Sequence, residues 1–232
     1  MQAIIASTST LHGSSYLEYI RPVLKTHFDE VEEVLFIPFA RPGGISHQDY
    51  TQKAAEGIKS CVNSVKGIHE FKDMKKAISD AKAIFVGGGN TFLLVKQLHE
   101  LDLMQTLKLS IEKGVKYLGT SAGSNICGVS MQTTNDMPIV YPPSFKTLGI
   151  LNFNINPHYL DPDTSSTHKG ETRETRIKEF QTLNPETVVG LREGSWIKIN
   201  KLEITLEGDL PARIFESGKQ PYELNPGNHF KF

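Results

Sequence analysis

Residues 83–90, Ala83-Ile84-Phe85-Val86-Gly87-Gly88-Gly89-Asn90, run from four apolar positions straight into three glycines. Residues 115–123, Val115-Lys116-Tyr117-Leu118-Gly119-Thr120-Ser121-Ala122-Gly123, repeat the plan, with a short apolar run followed by a loop of small residues. Between them the pattern predicts helices over about 91–98 and 103–113, the second closed by Gly114. Leu107, Leu109 and Ile111 are too irregularly spaced to fix the buried face of that second helix. Strand, tight turn and helix in repetition predict an α/β fold, a mostly parallel sheet with helices on both faces and right-handed crossovers.

The same alternation extends toward the N-terminus. Strands are expected at 3–6 (AIIA) and 34–39 (VLFIPF, with Pro38 marking an end or an irregularity), and a weaker one at 65–69. Helices are expected over about 15–24, 50–62 and 74–81. Past the glycine loops the character changes. A polar helix over 172–183 is closed by Asn184-Pro185, and TVVGL, WIKIN, LEITLEG, ARIFESG and QPYEL follow as short runs with turn signals. These predict a small antiparallel C-terminal extension of the sheet rather than a second domain, so residues 1–232 are expected to form one domain.

Composition removes several classes of function. Charged residues make up 22% and hydrophobic ones 38% of the 232 residues, a balance typical of neither disordered nor membrane proteins. Twenty-five basic and 26 acidic side chains leave a net charge of −1, so no broad basic face is implied and nucleic acid is not an expected partner. The N-terminal MQAIIASTST has no basic region and only a four-residue apolar run, and no stretch approaches the roughly 20 apolar residues of a membrane span. Cys61 and Cys127 lie outside any metal-ligand spacing, and so few cysteines fit a soluble protein of the cytoplasm.

The chemistry concentrates at the two glycine loops. Gly119-Thr120-Ser121-Ala122-Gly123 fits G-x-S-x-G, the turn that lifts a serine above the sheet edge in a strained backbone, where flanking Cβ atoms would clash. A plain glycine-bracketed turn with Ser121 as a helix cap is the bland alternative. Ordered one crossover apart, the two loops should lie side by side at the carboxyl edge of the sheet, where open α/β sheets bind ligands. The N–H groups of Gly89 and Ala122 are then candidates for an oxyanion hole. Phosphate binding competes for the Gly87–Asn90 run, but neither G-x-G-x-x-G nor G-x-x-x-x-G-K-[ST] is present. A serine needs a general base. Among eight histidines His158 stands out, following Phe-Asn-Ile-Asn-Pro at an apparent strand end, with His168 the second choice. Asp136, in TTNDMPIV, and Glu193, in LREGSW, are both candidates to orient the imidazole, and spacing does not choose between them.

Taken in order, STLHG, FIPFA, VGGGNTF, GTSAGSN, TTNDMPIV, INPH, HKGETRETRI and EGSWI are spread along most of the chain. They resemble the peptidase E family of α-aspartyl dipeptidases, which shares its fold with class I glutamine amidotransferases. The resemblance implies hydrolysis of dipeptides with an N-terminal aspartate by a serine nucleophile, with no metal or other cofactor. It matches Ser121 to the nucleophile and His158 to the base. Glu193 or Asp136 matches the acid, the other being left to shape the pocket, where it would meet the substrate's α-ammonium. Arg173 and Arg176, three apart on one helix face, become candidates for the aspartate carboxylate, Arg173 first; without the family they read as a solvated, ion-paired face with pairs such as Glu174–Lys178. Thr120 stands where some members carry tryptophan, which would alter the pocket wall. The expected partners are small peptides, with no nucleic acid or membrane, and the protein is expected to be a monomer or homodimer. A cyanophycinase-like β-aspartyl hydrolase and a silent binding module are the alternatives. An amidotransferase would carry cysteine at the elbow, and an α/β-hydrolase esterase would need a convincing late histidine, for which His229 is too near the end.

Overall fold

The computed structural model describes residues 1–231 except Thr164, Ser166, His168 and Lys169, so His168 lies outside the described residues. Five strands run parallel: β1 (Gln2–Ala6), β2 (Glu33–Ile37), β3 (Ser64–Gly67), β4 (Ala83–Val86) and β5 (Lys116–Thr120). Their order is β3-β2-β4-β5-β1, and the antiparallel strands β8 (Ser195–Asn200) and β9 (Glu203–Gly208) extend the sheet beyond β1. Each parallel strand sends successive side chains to opposite faces, and both faces are covered. On one side Ile5, Ile37, Ile84 and Val86 pack with residues of α3 (Met74–Asp80), α4 (Thr91–Glu100) and α5 (Met104–Glu112). On the other, Ile4, Phe36 and Phe85 pack with α1 (Arg21–His27) and α2 (His47–Ile58). Near-continuous apolar runs such as Ala83–Val86, buried at every position, are what a strand covered on both faces requires.

The antiparallel extension is present but divided. The β8–β9 hairpin joins the main sheet, while β6 (Asn154–Pro157), β7 (Val188–Leu191), β10 (Ala212–Phe215) and β11 (Tyr222–Leu224) form a second sheet, ordered β11-β10-β7-β6. Strands β6 and β7 are parallel, with α7 (Arg173–Gln181) as the crossover that a parallel pair needs, so the polar helix belongs to a strand–helix–strand unit. Several boundaries differ from expectation, with α2 lying earlier than 50–62 and β2 stopping before Pro38, and two differences have clear local reasons. Residues 16–20 are turns instead of helix, because Leu17 is left-handed (φ 57°) and its N–H donates to Ser9 O at 2.7 Å; α1 begins only next to Pro22. The strand predicted over 65–69 stops at Gly67, whose N–H donates to the Glu70 carboxylate at 2.6 Å and closes a 3-10 turn.

Candidate active site

Ser121 stands between the last residue of β5 and the single-turn helix α6 (Ala122–Asn125), with φ 54° and ψ −111°. A serine rarely occupies this region, and its strain is held by surrounding hydrogen bonds. The Ser121 N–H donates to Ala6 O at 3.2 Å, and its carbonyl accepts from the N–H groups of Ser124 and Asn125, both at 2.9 Å. The bracketing glycines are dictated by close approach: a Cβ on Gly123 would fall 2.2 Å from Val86 O, and one on Gly119 would fall 2.4 Å from Gly123 O. With only one turn in α6, any stabilisation of negative charge here comes from individual N–H groups more than from a helix macrodipole.

The two glycine loops lie side by side: a Cβ built on Gly88 would sit 2.9 Å from the Cβ of Ser121. Gly89 is at φ 144°, where a side chain would meet Ala40 O at 2.2 Å. No described group accepts from the N–H of Gly89 or of Ala122. Thr120 is fully buried, so it lies beneath the site and contributes nothing to its exposed wall.

His158 follows β6 directly, and Glu193 lies just beyond β7. Because Pro157 pairs with Leu191, the two parallel strands release their next residues side by side. The His158 ring reaches Ser121 Oγ through Nε2 at 2.9 Å and Glu193 Oε1 through Nδ1 at 2.6 Å. With an ionised carboxylate able only to accept, Nδ1–H donates to Glu193, and Nε2 is left to accept from the serine hydroxyl. His158 is itself left-handed (φ 54°), and its N–H donates to Ser7 Oγ at 2.9 Å. Ser7, fully buried just past β1, donates in turn to Leu191 O at 2.7 Å. One hydroxyl therefore ties the end of the large sheet to the ends of both strands that carry the pair.

Asp136 is held elsewhere, at the N-terminus of α4. Its Oδ2 accepts from Thr91 N–H at 2.7 Å and from the Thr91 hydroxyl at 2.6 Å, with the Thr134 hydroxyl at 3.0 Å. Glu193, not Asp136, is the acid against His158. Arg173 opens α7, forms no ion pair with any described residue, and lies close enough to Asp136 to feel its charge. Burial, and then Arg176, pull the Arg173 guanidinium below its ordinary pKa, while Asp136 opposes them. Arg176 points outward, with Glu171 at 3.9 Å. The Glu174–Lys178 pair is present at 2.7 Å.

Sequence reading missed Ser7, Thr91 and Arg192. Arg192, next to Glu193, grips Asp161 with a two-pronged contact (2.6 and 2.8 Å) and Glu223 at 2.8 Å, pinning the end of β7. These hydrogen bonds hold its guanidinium above the ordinary pKa. Its partners are distant in sequence, so no local signal marks it. Among the described residues no cluster of three or more His, Cys, Asp or Glu is placed to hold a metal ion. A cavity of about 690 Å³, lined in part by Glu30, Glu33, Phe71, Lys76 and Lys82, opens at the amino ends of β2 and β4, the edge opposite Ser121.

Fold and site together define an α/β protein with a strained serine at the carboxyl edge of its sheet, hydrogen-bonded to a histidine–glutamate pair. Comparison with known proteins narrows this. The model of peptidase family S51 matches residues 3–207. Peptidase E of Streptomyces coelicolor is 42% identical over 228 residues, covering 98% of this chain and 93% of that protein. A Drosophila melanogaster protein named "Probable alpha-aspartyl dipeptidase" is 42% identical over 226 residues, covering 96% of this chain and 93% of its own. The crystal structure of a peptidase from an acI-B1 Actinobacterium shares the fold, with TM-score 0.72 at 17% identity, covering 100% of this chain and 96% of that one. The chain belongs to peptidase family S51.

Proposed function

We propose that this protein is a serine-type dipeptidase that hydrolyses dipeptides with an N-terminal aspartate through an aspartyl-enzyme intermediate. The observation that carries the reading is the unbroken line from Ser121 Oγ through His158 to Glu193, at 2.9 and 2.6 Å. His158 Nε2 takes the proton of Ser121 as its oxygen attacks the scissile carbonyl, and Glu193 stabilises the imidazolium that forms. The N–H groups of Gly89 and Ala122 receive the oxyanion, each donor of this kind contributing about 3–4 kcal/mol at the transition state. His158 then returns the proton to the leaving amine, and water repeats the cycle on the acyl-enzyme.

Arg173 supplies selectivity. Half-buried and without an ion-pair partner among the described residues, it offers its guanidinium fork to the aspartate side chain, whereas Arg176 is directed toward Glu171 and solvent. Asp136, anchored through one carboxylate oxygen, presents the other to the substrate's α-ammonium. Residues 1–232 act as a single catalytic domain without a cofactor, as a monomer or homodimer, with small peptides and neither nucleic acid nor membrane as partners. The protein works in the cytoplasm; among the described residues no helix is long and apolar enough to cross a membrane.

The deciding experiment is hydrolysis of Asp-Leu, β-Asp-Leu and Ala-Leu by the purified protein and by Ser121→Ala. Cleavage of Asp-Leu alone, lost by at least ~10⁴-fold in the variant, is expected. Preference for β-Asp-Leu would instead indicate a cyanophycinase-like enzyme. Retention of more than a few per cent of activity in Ser121→Ala would remove the serine from the mechanism.

A further inference from the structure

The loop from Gly87 to Asn90 is pinned at both ends by backbone hydrogen bonds, Gly87 N–H to Ile37 O at 3.2 Å and Asn90 N–H to Ala40 O at 2.7 Å. Between these ends lies the peptide joining Gly88 to Gly89. Flanked by two glycines, it meets little steric resistance to rotation about its neighbouring bonds, and a flip would aim a carbonyl where the site needs an N–H. One side chain holds it. The hydroxyl of Tyr50, on α2, donates to Gly88 O at 3.0 Å. Because a trans peptide is planar, the Gly88 carbonyl and the Gly89 N–H point in opposite directions from one rigid unit. Fixing the first fixes the second.

Tyr50 is built for this task. It is 1% exposed, and its ring meets Phe36 edge-on with centroids 4.9 Å apart. The Arg41 guanidinium covers the ring 5.0 Å from its centroid. Gly87 must lack a side chain for the phenol to reach the loop, since a Cβ there would lie 2.6 Å from the Tyr50 oxygen. We infer that Tyr50 is a positioning residue that aims the Gly89 N–H at the developing oxyanion by holding the other end of the same peptide. The inference rests on the hydrolase reading above, in which Gly89 receives that charge.

A Tyr50→Phe variant tests it, since it removes one oxygen and keeps the ring. Turnover of Asp-Leu should fall about 10- to 100-fold, less than the ~10²–10³ for deleting a donor outright, while KM stays within about two-fold. Affinity for an aspartate-derived boronic acid, which bears the tetrahedral oxygen, should fall by the same factor as turnover, and affinity for free aspartate should not move. Tyr50→p-aminophenylalanine, which still donates, should restore most of the turnover. Tyr222→Phe removes a phenol bonded to Glu216 at the far edge of the four-stranded sheet and should leave turnover unchanged. Unaltered turnover or boronate affinity in Tyr50→Phe, an equal loss in Tyr222→Phe, or no rescue by the amine would overturn the assignment. With Ser121→Ala assayed in parallel, an inactive Ser121→Ala beside an unaffected Tyr50→Phe overturns the role of Tyr50 alone. An active Ser121→Ala removes the hydrolase reading and the role of Tyr50 with it.

Discussion

The nucleophile half and the base half of the site are held by different means. Ser121, Gly89 and Ala122 follow the ends of β4 and β5 in the seven-stranded sheet, and glycines beside them in sequence permit their close-packed turns. Gly119 and Gly123 allow the strained turn, and the bare backbone of Gly88 lets the second loop approach Ser121. His158 and Glu193 leave neighbouring strands of the four-stranded sheet, and they meet because Pro157 pairs with Leu191. Strained local backbone makes the first half and strand register the second. Ser7 is where the two are stitched together, bonding at once to the His158 N–H and to Leu191 O.

If the acid's charge is what completes the base half, Glu193→Gln should lower turnover by about 10²–10⁴-fold with little change in melting temperature, because the shape at His158 is kept and the imidazolium loses its counter-charge. Steady-state kinetics and calorimetry check both parts. The next largest effect concerns selectivity. Arg173→Met should reduce kcat/KM for Asp-Leu by about 10²–10³-fold, mainly through KM, and leave the slow cleavage of Ala-Leu where it was. An unchanged KM would clear Arg173 of the role. The smallest effect tests the stitch itself. Ser7→Ala should cost about 1 kcal/mol of stability and about ten-fold in turnover, since the His158 N–H and Leu191 O lose their shared partner. A loss of stability with full turnover would mean that the seam holds the fold together without aiming the imidazole.

The division also explains what could be read from the sequence. The apolar runs that end in glycine announced the parallel sheet and placed Ser121 and Gly89 at one edge, because the constraints on a tight strand-to-helix turn are local. His158 was legible as a residue at a strand end. The choice between Glu193 and Asp136 was not, since it depends on the pairing of β6 with β7, and spacing carries no information about register. Nor was the split of the C-terminal strands between two sheets, for each short run alternates in the same way whichever edge it joins. The late start of α1 has a smaller cause: an apolar periodicity does not reveal that Leu17 turns left-handed to bond Ser9.

The most direct test of a nucleophile on one sheet activated by a pair on the other is the rate at which a fluorophosphonate labels the protein, with the adduct located by peptide mapping. Wild-type protein and the variants Glu193→Gln and Asp136→Asn are compared. The expected result is a single adduct on Ser121, formed at least ~100-fold more slowly in Glu193→Gln and at the wild-type rate in Asp136→Asn. An adduct on another residue, or slowing in Asp136→Asn with Glu193→Gln unaffected, would contradict it.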